Sequence, residues 1–178
     1  MALVVFMRGV NVGGHRMFKP AALAREMAAL DVVSVGAAGT FVVRKAVSQA
    51  ALRAEFLRRL PFEPQLMICR AREIIDLASR EQNPDDPART DERQFVSVMA
   101  KRPRTLPRLP ICQPAGDKWQ VKIVGVSGRF ALSLWRRQGG SLVYPNEVVE
   151  KKFGVPATTR NWNTITAISD ILSSRRGG

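Results

Sequence analysis

Few residues in this 178-residue chain suit metal or thiol chemistry. It has two cysteines, Cys69 and Cys112, and no CxxC pair, so neither a zinc site nor a disulfide framework is indicated. Both sit among apolar neighbours and read as reduced thiols in or near the core. The single histidine, His15, excludes a histidine-rich metal site and leaves a Ser-His-acid triad one candidate base. No metal and no cofactor is implied. No run of about 18 apolar residues exists, so a membrane span is not expected. Met1–Arg8 lacks a basic leader region, and its apolar stretch is too short for a signal peptide. It reads as a strand, and the expected location is cytoplasmic. Paired carboxylates are also missing. Glu147 and Glu150 stand one helical turn apart beside Lys151 and Lys152, as on a solvated face.

Basic charge is abundant. Lys and Arg number 28 against 15 Asp and Glu, a net charge of +13. The excess lies mostly in the second half. Between Arg93 and Arg137, Asp117 is the lone acid among ten bases. Such a field attracts nucleic acid, nucleotides or other phosphorylated ligands. Twenty-one of the bases are arginine in an alanine-rich chain, so coding bias with solubility is the competing explanation.

Periodicity and punctuation give the elements. Leu3–Met7 is a continuous apolar run, as in a strand buried on both faces. A helix opens at Pro20 with Leu23, Met27 and Leu30 on one stripe. Val32–Val35 and Thr40–Arg44 are strands around a glycine turn. Ser48 caps a helix carrying Leu52, Phe56 and Leu60. Gln65–Cys69 is a fourth strand, and a helix spans about Ala71 to Glu81. Asn83–Pro87 reads as a turn or linker. The order β-α-β-β-α-β is the ferredoxin-like pattern, so the fold class is α+β. A ferredoxin-like lobe over 1–82 is expected, with a second, smaller α+β lobe over 93–178 packed against it. The second lobe starts with a strand, Gln94–Ala100. Its three-proline loop runs from Lys101 to Pro110. A hairpin of Trp119–Val126 and Phe130–Arg136 follows, with Gln120 on its polar face. A helix from Pro145 is stopped by Gly154, and a last helix covers about Asn163 to Ser173. Arg175–Gly178 reads as a frayed tail.

Two segments carry unusual chemistry. Arg8-Gly9-Val10-Asn11-Val12-Gly13-Gly14-His15-Arg16 lies between a buried strand and a helix, where backbone N–H groups can hold an anion. It fits neither nucleotide-loop pattern. His15-Arg16 stands where a P-loop needs Lys and Ser or Thr, and Asn11 takes the second glycine of GxGxxG. The plainer reading is a glycine turn braced by Arg8 and Asn11. The second segment is Gly154-Val155-Pro156-Ala157-Thr158-Thr159-Arg160-Asn161-Trp162-Asn163-Thr164, the entry of the last helix, with Asn163 or Thr164 as N-cap. Arg160 would clamp a phosphate and Trp162 would stack on a base. Alternatively, Trp162 plugs the core and Arg160 braces a neighbouring carbonyl. The clustered aromatics of RNA-recognition domains are absent around Phe41 and Phe130.

The pair RGVNVGG and TTRNWNT resembles the signatures of a bacterial family catalogued as a domain of unknown function, number sixteen ninety-seven. The resemblance implies an α+β fold with ferredoxin-like character and a small cytosolic protein, and brings no established activity. Ala38-Gly39-Thr40 replaces the family's usual Ser-Gly-Asn, and His15 its common Lys. Arg8, Asn11, Gly13, Gly14, Arg160, Asn161 and Asn163 match.

These residues support three expectations. The first is an anionic ligand, nucleic acid or a nucleotide-like phosphate, in a cleft between the two motifs. Arg8, Asn11, Gly13, Gly14, Arg160, Asn161 and Asn163 would bind it, with Lys101, Arg102, Arg104 and Arg108 as polyanion contacts. The second is a metal-free enzyme on a small phosphorylated metabolite, with His15 as acid–base. The third is a structural or interaction module in which the motifs form a clasp. The sequence assigns neither a catalytic residue nor an oligomeric state.

Overall fold

The structure is a computed structural model, and it describes residues 1–80 and 91–174. The expected linker at Asn83–Pro87 and the tail Arg175–Gly178 fall outside them. The chain divides into two units, Met1–Arg80 with Thr164–Gly178, and Glu81–Asn163. Most of the last helix, read into the second lobe, therefore groups with the first unit. The fold is α+β, with two antiparallel sheets and five α-helices among the described residues.

The first unit holds four strands, β1 (Leu3–Arg8), β2 (Val32–Val35), β3 (Thr40–Val43) and β4 (Gln65–Arg70). They form one sheet in the order β2-β3-β1-β4, every neighbouring pair antiparallel. Two helices separate them, α1 (Pro20–Glu26) and α2 (Gln49–Arg59). Pro20 starts α1 because its fixed φ and missing N–H suit a first turn. Ser48 caps α2, accepting from Ala51 N–H at 3.1 Å. Side chains alternate along a strand, so Leu3, Val5 and Met7 share one face. There they pack with Leu23, Ala24 and Met27 near α1 and with Leu52 and Phe56 of α2. The opposite face, with Val4 and Phe6, is also fully buried, which explains why the apolar run is continuous rather than alternating. Helix α3 (Ala71–Arg80) follows β4 directly and buries Ile74, Leu77 and Ala78.

The second unit is a five-stranded sheet in the order β6-β7-β8-β5-β9. Its strands are β5 (Glu92–Met99), β6 (Ile111–Gln113), β7 (Val121–Ser127), β8 (Phe130–Arg136) and β9 (Ala157–Asn161). Helix α4 (Pro145–Phe153) ends at Gly154, whose φ of 64° closes the last turn through a 2.9 Å bond to the Glu150 carbonyl. Val148, Val149 and Phe153 of α4 pack on Met99, Val121, Ile123, Ala131 and Ala157.

Three expectations are corrected here. Strand β6 was missed because three residues between Pro110 and Pro114 carry no readable period. Strand β9 was read as the irregular segment leading into the last helix, yet Thr158 and Thr159 are β-branched and fit a pleated sheet. Helix α5 accordingly begins at Trp162 and runs to Ser173, so Asn163 and Thr164 lie in its first turn rather than at its cap. Gln120, placed on the polar face of the hairpin, is buried. It donates to the Ser141 carbonyl at 2.8 Å and accepts from Val143 N–H at 3.0 Å, tying the loop after β8 to the sheet.

Candidate functional site

The first motif leaves β1 as an exposed loop. Gly9, Gly13 and Gly14 have positive φ, as do Asn11 and Arg16. Such a backbone suits glycine and tolerates Asn. Its tip is held by His15 N–H donating to the Val12 carbonyl at 3.0 Å. Asn11 uses both ends of its carboxamide within the unit. Nδ2 donates to the Ala37 carbonyl at 2.8 Å, and Oδ1 accepts from Phe18 N–H at 2.9 Å. Val12, Gly13, Gly14, His15 and Arg16 are exposed, while Arg8 is half-buried at the end of β1. The neighbouring turn is fixed as tightly. A Cβ on Gly39 would lie 2.8 Å from Val10 Cγ2 and 2.9 Å from Met7 Cβ, so glycine is required there.

The second motif is split between a strand and a helix. Arg160 pairs with Val96 across β5 and β9 and is 7% exposed. Its Nη1 donates to Thr158 Oγ1 at 2.8 Å and to the Thr159 carbonyl at 2.9 Å. Burial pushes its pKa down to about 10. Ser97 and Thr159 hydroxyls meet at 2.6 Å across the same pair of strands. Glu150, read as a solvated acid, is half-buried and accepts from Ala157 N–H at 2.8 Å, which joins α4 to the start of β9.

Asn161 and Asn163 are exposed, and both line a cleft of about 370 Å³ with Arg93, Gln94, Phe95 and Trp162. The sheet builds one wall. Phe95 is opposite Asn161 on β9, and Arg93 is opposite Trp135 on β8. Directly paired residues share a face, and i, i+2 residues do too. Arg93, Phe95, Asn161 and Trp135 therefore stand on the face that α4 covers further along, at Met99. Burial falls along that face, from Met99 in the core to Phe95 half-exposed and Arg93 exposed. Phe95 meets Trp135 edge to face, ring centroids 6.4 Å apart. Trp135 is anchored in turn by its Nε1–H, which donates to the Val143 carbonyl at 3.1 Å.

Arg93, Gln94 and Phe95 were not singled out from the sequence. Their signal was a cation and an aromatic two residues apart at the polar start of a buried strand. Lys101, Arg102, Arg104 and Arg108 are all exposed on the proline-rich loop after β5. Among the described residues no group of three or more His, Cys, Asp or Glu is placed to hold a metal ion, and no helix is long and apolar enough to cross a membrane.

A family model described as "Protein of unknown function (DUF1697)" matches residues 1–125. No curated protein sequence matches the chain. The fold is similar to the solved structure of a conserved bacterial protein from Streptococcus pneumoniae, with 15% identity, a TM-score of 0.59, and 97% of this chain and 98% of that one covered.

Proposed function

The chain belongs to the DUF1697 family of proteins of unknown function, and we propose that it binds a phosphate-bearing ligand, a nucleotide or nucleic acid, at the cleft of the second unit. The observation that carries this is the lining of the cleft, where Arg93, Asn161 and Asn163 stand together with aromatic Phe95 and Trp162 and, among the described residues, no carboxylate. Its volume lies within the range of small-molecule sites, roughly 300–1,000 Å³. Arg93 supplies a charge-assisted pair for a phosphate oxygen. Phe95 and Trp162 supply stacking surface. The exposed bases of the loop at Lys101–Arg108, and the net +13, raise the local concentration of any polyanion.

In this reading Arg160 and Asn11 position backbone rather than touch ligand: Asn11 bonds the Ala37 carbonyl and Phe18 N–H, and Arg160 bonds the Thr158 hydroxyl and the Thr159 carbonyl. The bracing role expected as an alternative is thus favoured for the first motif. The strand order β4-β1-β3-β2 in the first unit supports its ferredoxin-like assignment. The acid–base alternative would rest on His15, which is exposed at the loop tip.

The test is binding of generic DNA and RNA between about 50 and 200 mM salt, where counterion release makes affinity fall steeply. Replacing Lys101, Arg102, Arg104 and Arg108 together by Ser flattens the slope, and Arg93→Ala weakens binding at every salt concentration. Absence of binding at the low-salt end leaves coding bias as the account of the charge.

A further inference from the structure

Resting on the reading that this cleft takes a phosphate-bearing ligand, we infer that the ligand is a single-stranded nucleic acid, one base of which sits against Phe95 and Trp162. Among the described residues the lining contains one cation, Arg93, and three carboxamides, Gln94, Asn161 and Asn163. One guanidinium matches the single charge of a phosphodiester and is too little for a di- or triphosphate. A carboxamide both donates and accepts, as a base edge does. Phe95 and Trp162 add flat apolar surface, on which any base stacks through its π-face.

The cations on β5 and at the start of the loop after it are strung out rather than gathered. Arg93 is near the start of β5, and Lys101 and Arg102 follow its end at Met99. At about 3.3 Å per residue, Arg93 and Met99 alone are roughly 20 Å apart. A mononucleotide is too short to meet both ends, whereas a strand with a charge on every residue meets both. A duplex fits poorly, because its bases are stacked and paired and the 370 Å³ cleft has room for one splayed base.

The experiment measures anisotropy of labelled oligo-dT and oligo-U of roughly 12 nucleotides, a duplex of equal length, and a nucleoside monophosphate as competitor. At about 50 mM salt, both single strands bind at least about ten-fold tighter than the duplex, and the monophosphate competes weakly. Asn163→Asp places a carboxylate at an exposed position and weakens single-strand binding at least about five-fold with an unchanged melting temperature, and Phe95→Leu weakens it similarly through lost stacking. A duplex or monophosphate that binds as well as the strands overturns this inference and leaves the phosphate-binding reading standing. Strand binding that neither substitution alters overturns the placement of the base. No binding by any probe overturns both.

Discussion

The Asn11 side chain donates to the Ala37 carbonyl at 2.8 Å while accepting from Phe18 N–H at 2.9 Å, so one carboxamide joins the first motif to the turn before β3 and to the chain leading into α1. Asn11→Ala removes both bonds and is expected to cost about 1–2 kcal/mol. Urea unfolding measures the loss. Affinity for a polyanion, compared at equal folded fraction, stays unchanged. A variant of full stability that no longer binds would make Asn11 a ligand contact instead.

Gly39 and Gly14 separate two effects of glycine. Both have positive φ, 73° and 76°, but only Gly39 has neighbours within van der Waals contact of an added Cβ. Gly14→Ala is expected to cost about 1 kcal/mol, the backbone contribution. Gly39→Ala adds overpacking against Val10 and Met7 and costs a further 1–3 kcal/mol or so. Thermal melts of the two variants check this ordering. Equal losses would mean that the loop yields freely around residue 39.

Arg160 gives a pH dependence whose sign is fixed by burial. Burial lowers its pKa to about 10 on folding. Below pH 10 the residue is charged in both states, and its contribution is constant. Above about pH 10 the folded chain releases a proton that the unfolded chain keeps, so stability rises with pH. Relative to Arg160→Gln, the wild type gains on the order of 1 kcal/mol between pH 8 and pH 11. Urea unfolding at the two values measures the difference, and a constant difference would contradict the burial argument.

Elements with a strong period or a clear cap were legible in the sequence. Leu3–Met7, the Ser48 cap, the Gly154 stop and the hairpin return at Phe130–Arg136 each depend on local chemistry. What escaped depends on long-range pairing. Residues 157–161 contain two β-branched threonines but no apolar alternation, and their strand state comes from pairing with β5, some 60 positions earlier. The cleft escaped for the same reason. Asn161 and Asn163 were marked by their motif, whereas Arg93 and Phe95 reach them only through the β5–β9 register. For Arg160 the sequence left a phosphate clamp and a brace on a neighbouring carbonyl both open, because it shows a charge and not its burial.

The placement of the ligand is tested most directly by amide chemical-shift mapping of the protein titrated with a short single-stranded oligonucleotide at low salt. The account predicts that the largest shifts fall on Gln94, Phe95, Asn161, Trp162 and Asn163, with smaller ones on Lys101–Arg108 and little change at Gly9–Arg16. Shifts concentrated at Gly9–Arg16, with the cleft residues unmoved, would contradict it.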